Sequence, residues 1–238
     1  MSRILAVILD LDNVLYDERE YFLAAFHNIA RYLSKRYHLS EQKIYRELAK
    51  NFRKKSSMYP KLFNDLLDDF ELSQQILPNL LDVFASTKTN LKLRTSAEEV
   101  LINLKKQGLK LGLLTNGTVK VQVNKVQLLG VGKYFDSIVY ARILGKENEK
   151  PNPNAYLSIL KTLNVEPKLA ICIGDNPYTD FWGAKKLGVL TVRLLQGEFK
   201  KIKLNEEYEA DINVQSLNEF YKFLKKLSLN YSNRLLWR

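Results

Sequence analysis

A chain of 238 residues is long enough for one or two domains with a sizeable core, and 46% hydrophobic against 26% charged residues is the balance of a water-soluble globular protein. Thirty-seven Lys and Arg against 26 Asp and Glu give a formal charge of +11. This fits an anionic partner, but no arginine-rich tract or zinc-finger spacing points to nucleic acid, and no apolar run is long enough to span a bilayer. The single Cys172 excludes an intrachain disulfide, and with no signal-peptide pattern a cytoplasmic location is expected.

The chain opens with an apolar run over 4–9 that leads into Asp10-Leu11-Asp12, within ILAVILDLDNVLY. Such a run predicts a strand buried on both faces, as in parallel α/β sheets. Residues two apart on an extended segment point the same way, so Asp10 and Asp12 are expected to project together. Two carboxylates that close repel unless a cation or a shared proton relieves them. An Asp-rich turn is the simpler alternative.

From 18 to 37 the apolar residues Phe22, Ala25, Phe26, Ile29, Ala30 and Leu33 recur at helical steps. Ser40 caps a second predicted helix to about 54. Further helical stretches are expected over 61–70 and 73–84, the latter with Pro78 early in a helix or breaking it. Nothing strand-like interrupts this region, which reads as an all-helical insert over 17–91. Tyr16, Phe22 and Tyr59 are candidates for a substrate pocket, with ordinary core positions as the alternative. Arg53-Lys54-Lys55 reads as a solvated helix end. His27 and His38 have no partners at metal-ligand spacing.

The pattern then changes to alternation. A helix over 97–107, with Thr95 and Glu98 spaced as a capping box, precedes a strand over 109–114 that ends in Thr115-Asn116-Gly117. A helix over 120–129, a strand over 137–141 and a helix from Pro153 to about 163 follow. Next come a strand over 169–173 ending in Gly174-Asp175-Asn176, a helix to about 187 and a strand over 190–194. Residues 210–227 read as a short strand and a helix. The tail 228–238 carries Tyr231 and Trp237 but no motif. Alternation of this kind predicts an α/β fold, a Rossmann-like parallel sheet formed by 1–16 and 92–238 with the helical segment inserted.

Four polar groups punctuate this pattern: Asp10 with Asp12, Thr115 with Asn116, Lys150 in KPNPNAY, and Asp175 with Asp180 in ICIGDNPYTD. The strand-associated ones fall at carboxyl ends, the edge where parallel sheets collect ligands. Carboxylates, a lysine and a hydroxyl suit a phosphate together with Mg²⁺, a hard cation that favours oxygen ligands. Lys150 competes with Lys146, and the proline and helix start that follow favour Lys150.

These four motifs in this order resemble the haloacid dehalogenase superfamily of aspartyl-nucleophile phosphohydrolases, over about 4–224. The helical insert resembles the cap of that superfamily's first cap subclass. The resemblance implies Asp10 as nucleophile and Asp12 as general acid and then base. Thr115 and Asn116 would hold phosphate oxygens, with Lys150 pairing with Asp10 and the phosphate. Mg²⁺ would sit on Asp10, the backbone carbonyl of Asp12 and Asp175, with Asp180 as a supporting ligand, so the side chains at 10, 12 and 175 are expected to converge. The implied activity is a phosphatase acting on a small phosphorylated metabolite. A phosphomutase on the same core and a non-catalytic basic interaction module are the alternatives, and Asp12 disfavours a dehalogenase. Asn13 and Val14 depart from the glycine and threonine that many members carry.

Overall fold

The computed structural model describes residues 3–235, with side chains to Ser228; Trp237 and the side chain of Tyr231 lie outside what is described. Six parallel strands form one sheet: β1 (Ala6–Leu9), β2 (Lys110–Thr115), β3 (Ser137–Tyr140), β4 (Ala170–Gly174), β5 (Leu190–Leu194) and β6 (Ile212–Val214). Their spatial order is β3-β2-β1-β4-β5-β6, with β1 flanked by β2 and β4.

Alternation along β1 sends Val7 and Leu9 to one face and Ala6 and Ile8 to the other, and all four are fully buried. The first face meets α5 (Ala97–Lys106) and α9 (Leu217–Leu235) through Val100, Leu101, Leu104, Phe220 and Leu224. The second meets α7 (Pro153–Leu163) through Tyr156, Ile159 and Leu163. Helix α6 (Val119–Leu129) leaves the end of β2, and the short α8 (Trp182–Lys186) leads into β5. Two covered faces explain why the strands read as continuous apolar runs.

Between β1 and α5 lie α1 (Glu18–Tyr37), α2 (Glu41–Lys55), α3 (Leu62–Asp69) and α4 (Leu77–Ala85). They bury a separate apolar cluster that includes Phe26, Ile29, Leu33, Leu48, Leu66 and Leu80. Asp17 and Ser40 cap α1 and α2 through their side chains. Ser73 caps a 3₁₀ turn, Gln74–Ile76, and Pro78 stands in the first turn of α4, so the expected 73–84 helix is split. His27 is stacked on Tyr45 at the surface. No helix among the described residues is long and apolar enough to cross a membrane.

The capping box expected at 95–98 is absent. Ser96, at φ 69°, is the residue before α5, and no side chain caps the helix. Its hydroxyl instead accepts a bond from Asn218 Nδ2 at 2.8 Å. A long-range contact with α9 has displaced the local one.

Candidate active site

The carboxyl ends of β1, β2 and β4 bring the polar residues together, because neighbouring strands in register end side by side. Asp10 follows β1 directly, Thr115 closes β2 and Asp175 follows β4. Oxygen atoms of Asp10, Asp175 and Asp180 lie within 4.8 Å of one another, and all three residues are buried. The Nζ of Lys150 enters the group, 2.6 Å from Asp10 Oδ1 and 2.8 Å from Asp180 Oδ1. Lys146 is exposed.

Asp180 is the most constrained member. Its Oδ2 accepts from the backbone N–H groups of Asp175 (3.1 Å) and Asn176 (2.9 Å), and Thr179 Oγ1 donates to its Oδ1. By contrast, Asp175 Oδ2 is buried with no hydrogen-bond partner. Burial together with the charges of Asp180 and Asp10 pushes the Asp175 carboxyl well above its ordinary range. Burial raises Asp10 to about 7, with Lys150 opposing the rise. For Lys150, burial disfavours the ammonium, but Asp10 and Asp180 outweigh it and hold the amine charged.

Three carboxylates against one amine leave this pocket short of positive charge, and one of them, Asp175, has a buried oxygen with no hydrogen-bond partner. An oxygen-only donor set of this kind fits a hard metal ion, which would remove the mutual repulsion.

Asp12 does not join them. Strand β1 ends at Leu9, and Asn13 turns the chain with φ 57°, so the strand geometry that would align Asp10 with Asp12 does not persist. The short polar side chain of Asn13 tolerates the left-handed conformation that glycine adopts freely. Asp12 turns to a second cluster, where Oδ1 accepts from Tyr16 Oη (2.6 Å) and Lys125 Nζ (2.7 Å) and Oδ2 from Gln122 Nε2 (2.8 Å). Burial works against its charge, but Lys125 and these hydrogen bonds outweigh burial and lower its pKa. Gln122 Nε2 also lies 2.5 Å from Thr115 Oγ1, which ties the two clusters together.

Asn116 is tied to the backbone of Lys150. Its side chain donates to the Lys150 carbonyl (2.7 Å) and accepts from the Lys150 N–H (3.0 Å). A neighbouring brace runs from Gly117 N–H to Glu149, which also accepts from Arg142 Nε. The pair of bonds from Asn116 fixes the backbone of the lysine.

Three contributors escaped the sequence reading. Lys125 and Gln122 lie one turn apart on α6 and face Asp12. Arg193, the penultimate residue of β5, is 1% exposed and donates to the carbonyls of Asp175 (3.3 Å) and Phe199 (2.6 Å) and to Glu209 (2.9 Å). It fixes the backbone of Asp175 to the loop after β5. A charged residue inside the apolar strand LTVRL was the available signal, since a buried arginine needs partners.

Beside Asn13, a crevice of about 180 Å³ opens between the helical insert and the sheet edge. Glu18, Phe52, Arg53 and Ser57 line it from the insert, and Glu198 from the loop after β5. Glu198 accepts bonds from the Ser57 N–H and hydroxyl, which join the two sides. Phe22 and Tyr59 pack instead into or against the aromatic and apolar cluster of the insert.

Comparison with known proteins agrees with this architecture. Glyceraldehyde 3-phosphate phosphatases from Methanopyrus kandleri and Pyrococcus furiosus are each 28% identical over 230 residues; these alignments cover 94% of this chain with 98% of the first relative, and 95% of each chain for the second. The crystal structure of a HAD phosphatase from Thermococcus onnurineus superposes with a TM-score of 0.65 at 23% identity, over 93% of this chain and 98% of the other. The family model of haloacid dehalogenase-like hydrolases matches residues 4–188, and the chain belongs to that family.

Proposed function

We propose that this hydrolase is a Mg²⁺-dependent phosphatase that releases phosphate from a small phosphorylated metabolite through a covalent aspartyl phosphate on Asp10. The observation that carries the reading is the buried Lys150 amine between Asp10 and Asp180, beside the unpartnered oxygen of Asp175. Asp10 attacks phosphorus as the bond to the leaving oxygen breaks, and Asp12, a carboxylate in the free protein that takes up a proton once the anionic phosphate is bound, gives that oxygen the proton. Asp12 then takes a proton from the water that hydrolyses the aspartyl phosphate. Lys150 and the Thr115 hydroxyl offset charge on the phosphate oxygens, and Asn116 holds the lysine backbone in place. Asp10, the Asp12 carbonyl and Asp175 would hold Mg²⁺, with Asp180 in support. The ion, when bound, supplies positive charge at the phosphate oxygens.

Residues 17–91 act in this reading as a cap that closes over the site and excludes water. A triose phosphate is the favoured substrate in this reading, because the relatives named above carry glyceraldehyde 3-phosphate in their names.

The test is phosphate release over a panel of sugar phosphates, phosphorylated acids and nucleotides with Mg²⁺, with EDTA and Asp10→Asn as controls. Turnover of three- or four-carbon phosphates, lost in both controls, supports the reading. No turnover across the panel sinks it and favours the interaction module.

A further inference from the structure

We propose that Lys125 is a positioning residue for proton transfer: it holds the Asp12 carboxylate in place and ties it to the first turn of the helical insert. The assignment rests on the role given to Asp12 above.

The side chain of Lys125 is 3% exposed, and burying an ammonium is costly unless it is paired. Its Nζ lies 2.7 Å from Asp12 Oδ1 and 3.4 Å from Oε1 of Glu18, the first residue of α1. The amine also stands over the Tyr21 ring, 5.2 Å from its centroid. One cation therefore spans the loop after β1, helix α6 and the base of the insert. With Gln122 Nε2 and the Tyr16 hydroxyl it forms three donors around a single carboxylate, which fix the orientation of both oxygens. The opposite face of α6 would have been free to carry a lysine into solvent, and an apolar side chain would fill this interior position without desolvating a charge.

The chemistry uses this arrangement at one point. As the Asp10–phosphorus bond forms and the phosphorus–oxygen bond to the alcohol breaks, the proton of Asp12 moves to the departing oxygen. The carboxylate left behind keeps its place through the Lys125 ammonium, the Gln122 amide and the Tyr16 hydroxyl. A misplaced acid slows departure of an alkoxide, which needs the proton, far more than that of p-nitrophenolate, a stable anion.

The experiment compares kcat/KM, which reports the steps up to departure of the alcohol, for p-nitrophenyl phosphate and for the best alkyl phosphate of the panel. In Lys125→Met the alkyl value falls about 100-fold and the aryl value less than about 10-fold, with KM within about threefold of wild type. Equal losses on both substrates, or none, overturn the assignment while leaving the phosphatase reading intact. A wild type inactive on both overturns the two together. Should Lys125→Met not fold, Lys125→Met with Glu18→Gln removes one charge of each sign from the buried cluster, and the same ratio of losses decides.

Discussion

Lys150 and Asp10 form a buried ion pair, 2.6 Å from Nζ to Oδ1, that joins the end of the central strand to a loop 140 residues later. Breaking such a pair from one side leaves an uncompensated interior charge. Lys150→Met is expected to lower stability by about 3 kcal/mol in metal-free protein, read by denaturant unfolding, and to cut phosphate release at least about 100-fold. A variant that keeps full activity would remove Lys150 from the chemistry.

A cation in the carboxylate pocket stabilises the folded chain by mass action. Mg²⁺ at a hundredfold excess over its Kd should add about 2.7 kcal/mol, seen as a raised melting temperature. Asp175→Asn, which neutralises the carboxylate with the orphaned oxygen, should lose most of that shift. An equal shift in both proteins would place the ion elsewhere.

Glu18 makes stability depend on pH. Burial and the Asp12 charge, partly offset by Lys125, raise its carboxyl from 4.5 to about 8. Between these values the folded chain keeps a proton that the unfolded chain has released, so this group's contribution falls as pH rises from about 4.5 to about 8 and is constant above. Melting temperatures across that window should therefore fall less steeply in Glu18→Gln than in wild type. Parallel curves would refute the assignment.

Gly183 sets the seat of the Lys150 loop. A Cβ at this position would overlap the carbonyl oxygen of Pro151, which is backbone and has little room to yield. Gly183→Ala should cost about 1–3 kcal/mol in chemical unfolding and, by shifting the neighbouring lysine, reduce kcat more than KM changes.

Glu198 joins the two walls of the crevice through Ser57 at an exposed position. Glu198→Ala should change stability by less than about 1 kcal/mol, since exposed polar links contribute little. The same change should raise KM for the preferred substrate, as measured by steady-state kinetics.

The sheet and the strand-end residues were legible because they depend on local patterns. Apolar runs mark β1, β2 and β4, and a polar residue at the close of each marks Asp10, Thr115 and Asp175. Lys150 was legible from the proline and helix start that follow it. Asp12 was misjudged in direction, because the strand ends at Leu9, before either carboxylate, and the alignment of residues two apart does not continue past it. The bond from Asn116 to the backbone of a residue 34 positions away was not legible, because no local pattern encodes it. Lys125 and Gln122 sit on a helix with an ordinary polar and apolar mixture, and only the packing of α6 against the loop after β1 identifies the face they share.

The pairing of Ala6 with Ala170 carries a cost in time. The central strand of the sheet is made first, yet one of its two neighbours is made more than 160 residues later. Until then its flank presents unsatisfied peptide groups and bare Val, Ile and Leu side chains. At a synthesis rate of about 5–20 residues per second, that exposure lasts on the order of ten seconds or more on the ribosome. The helices of the insert, whose contacts are short-range, can form in that interval. The catalytic edge closes only after β4 has emerged, so until then that flank is the part of the nascent chain most open to aggregation.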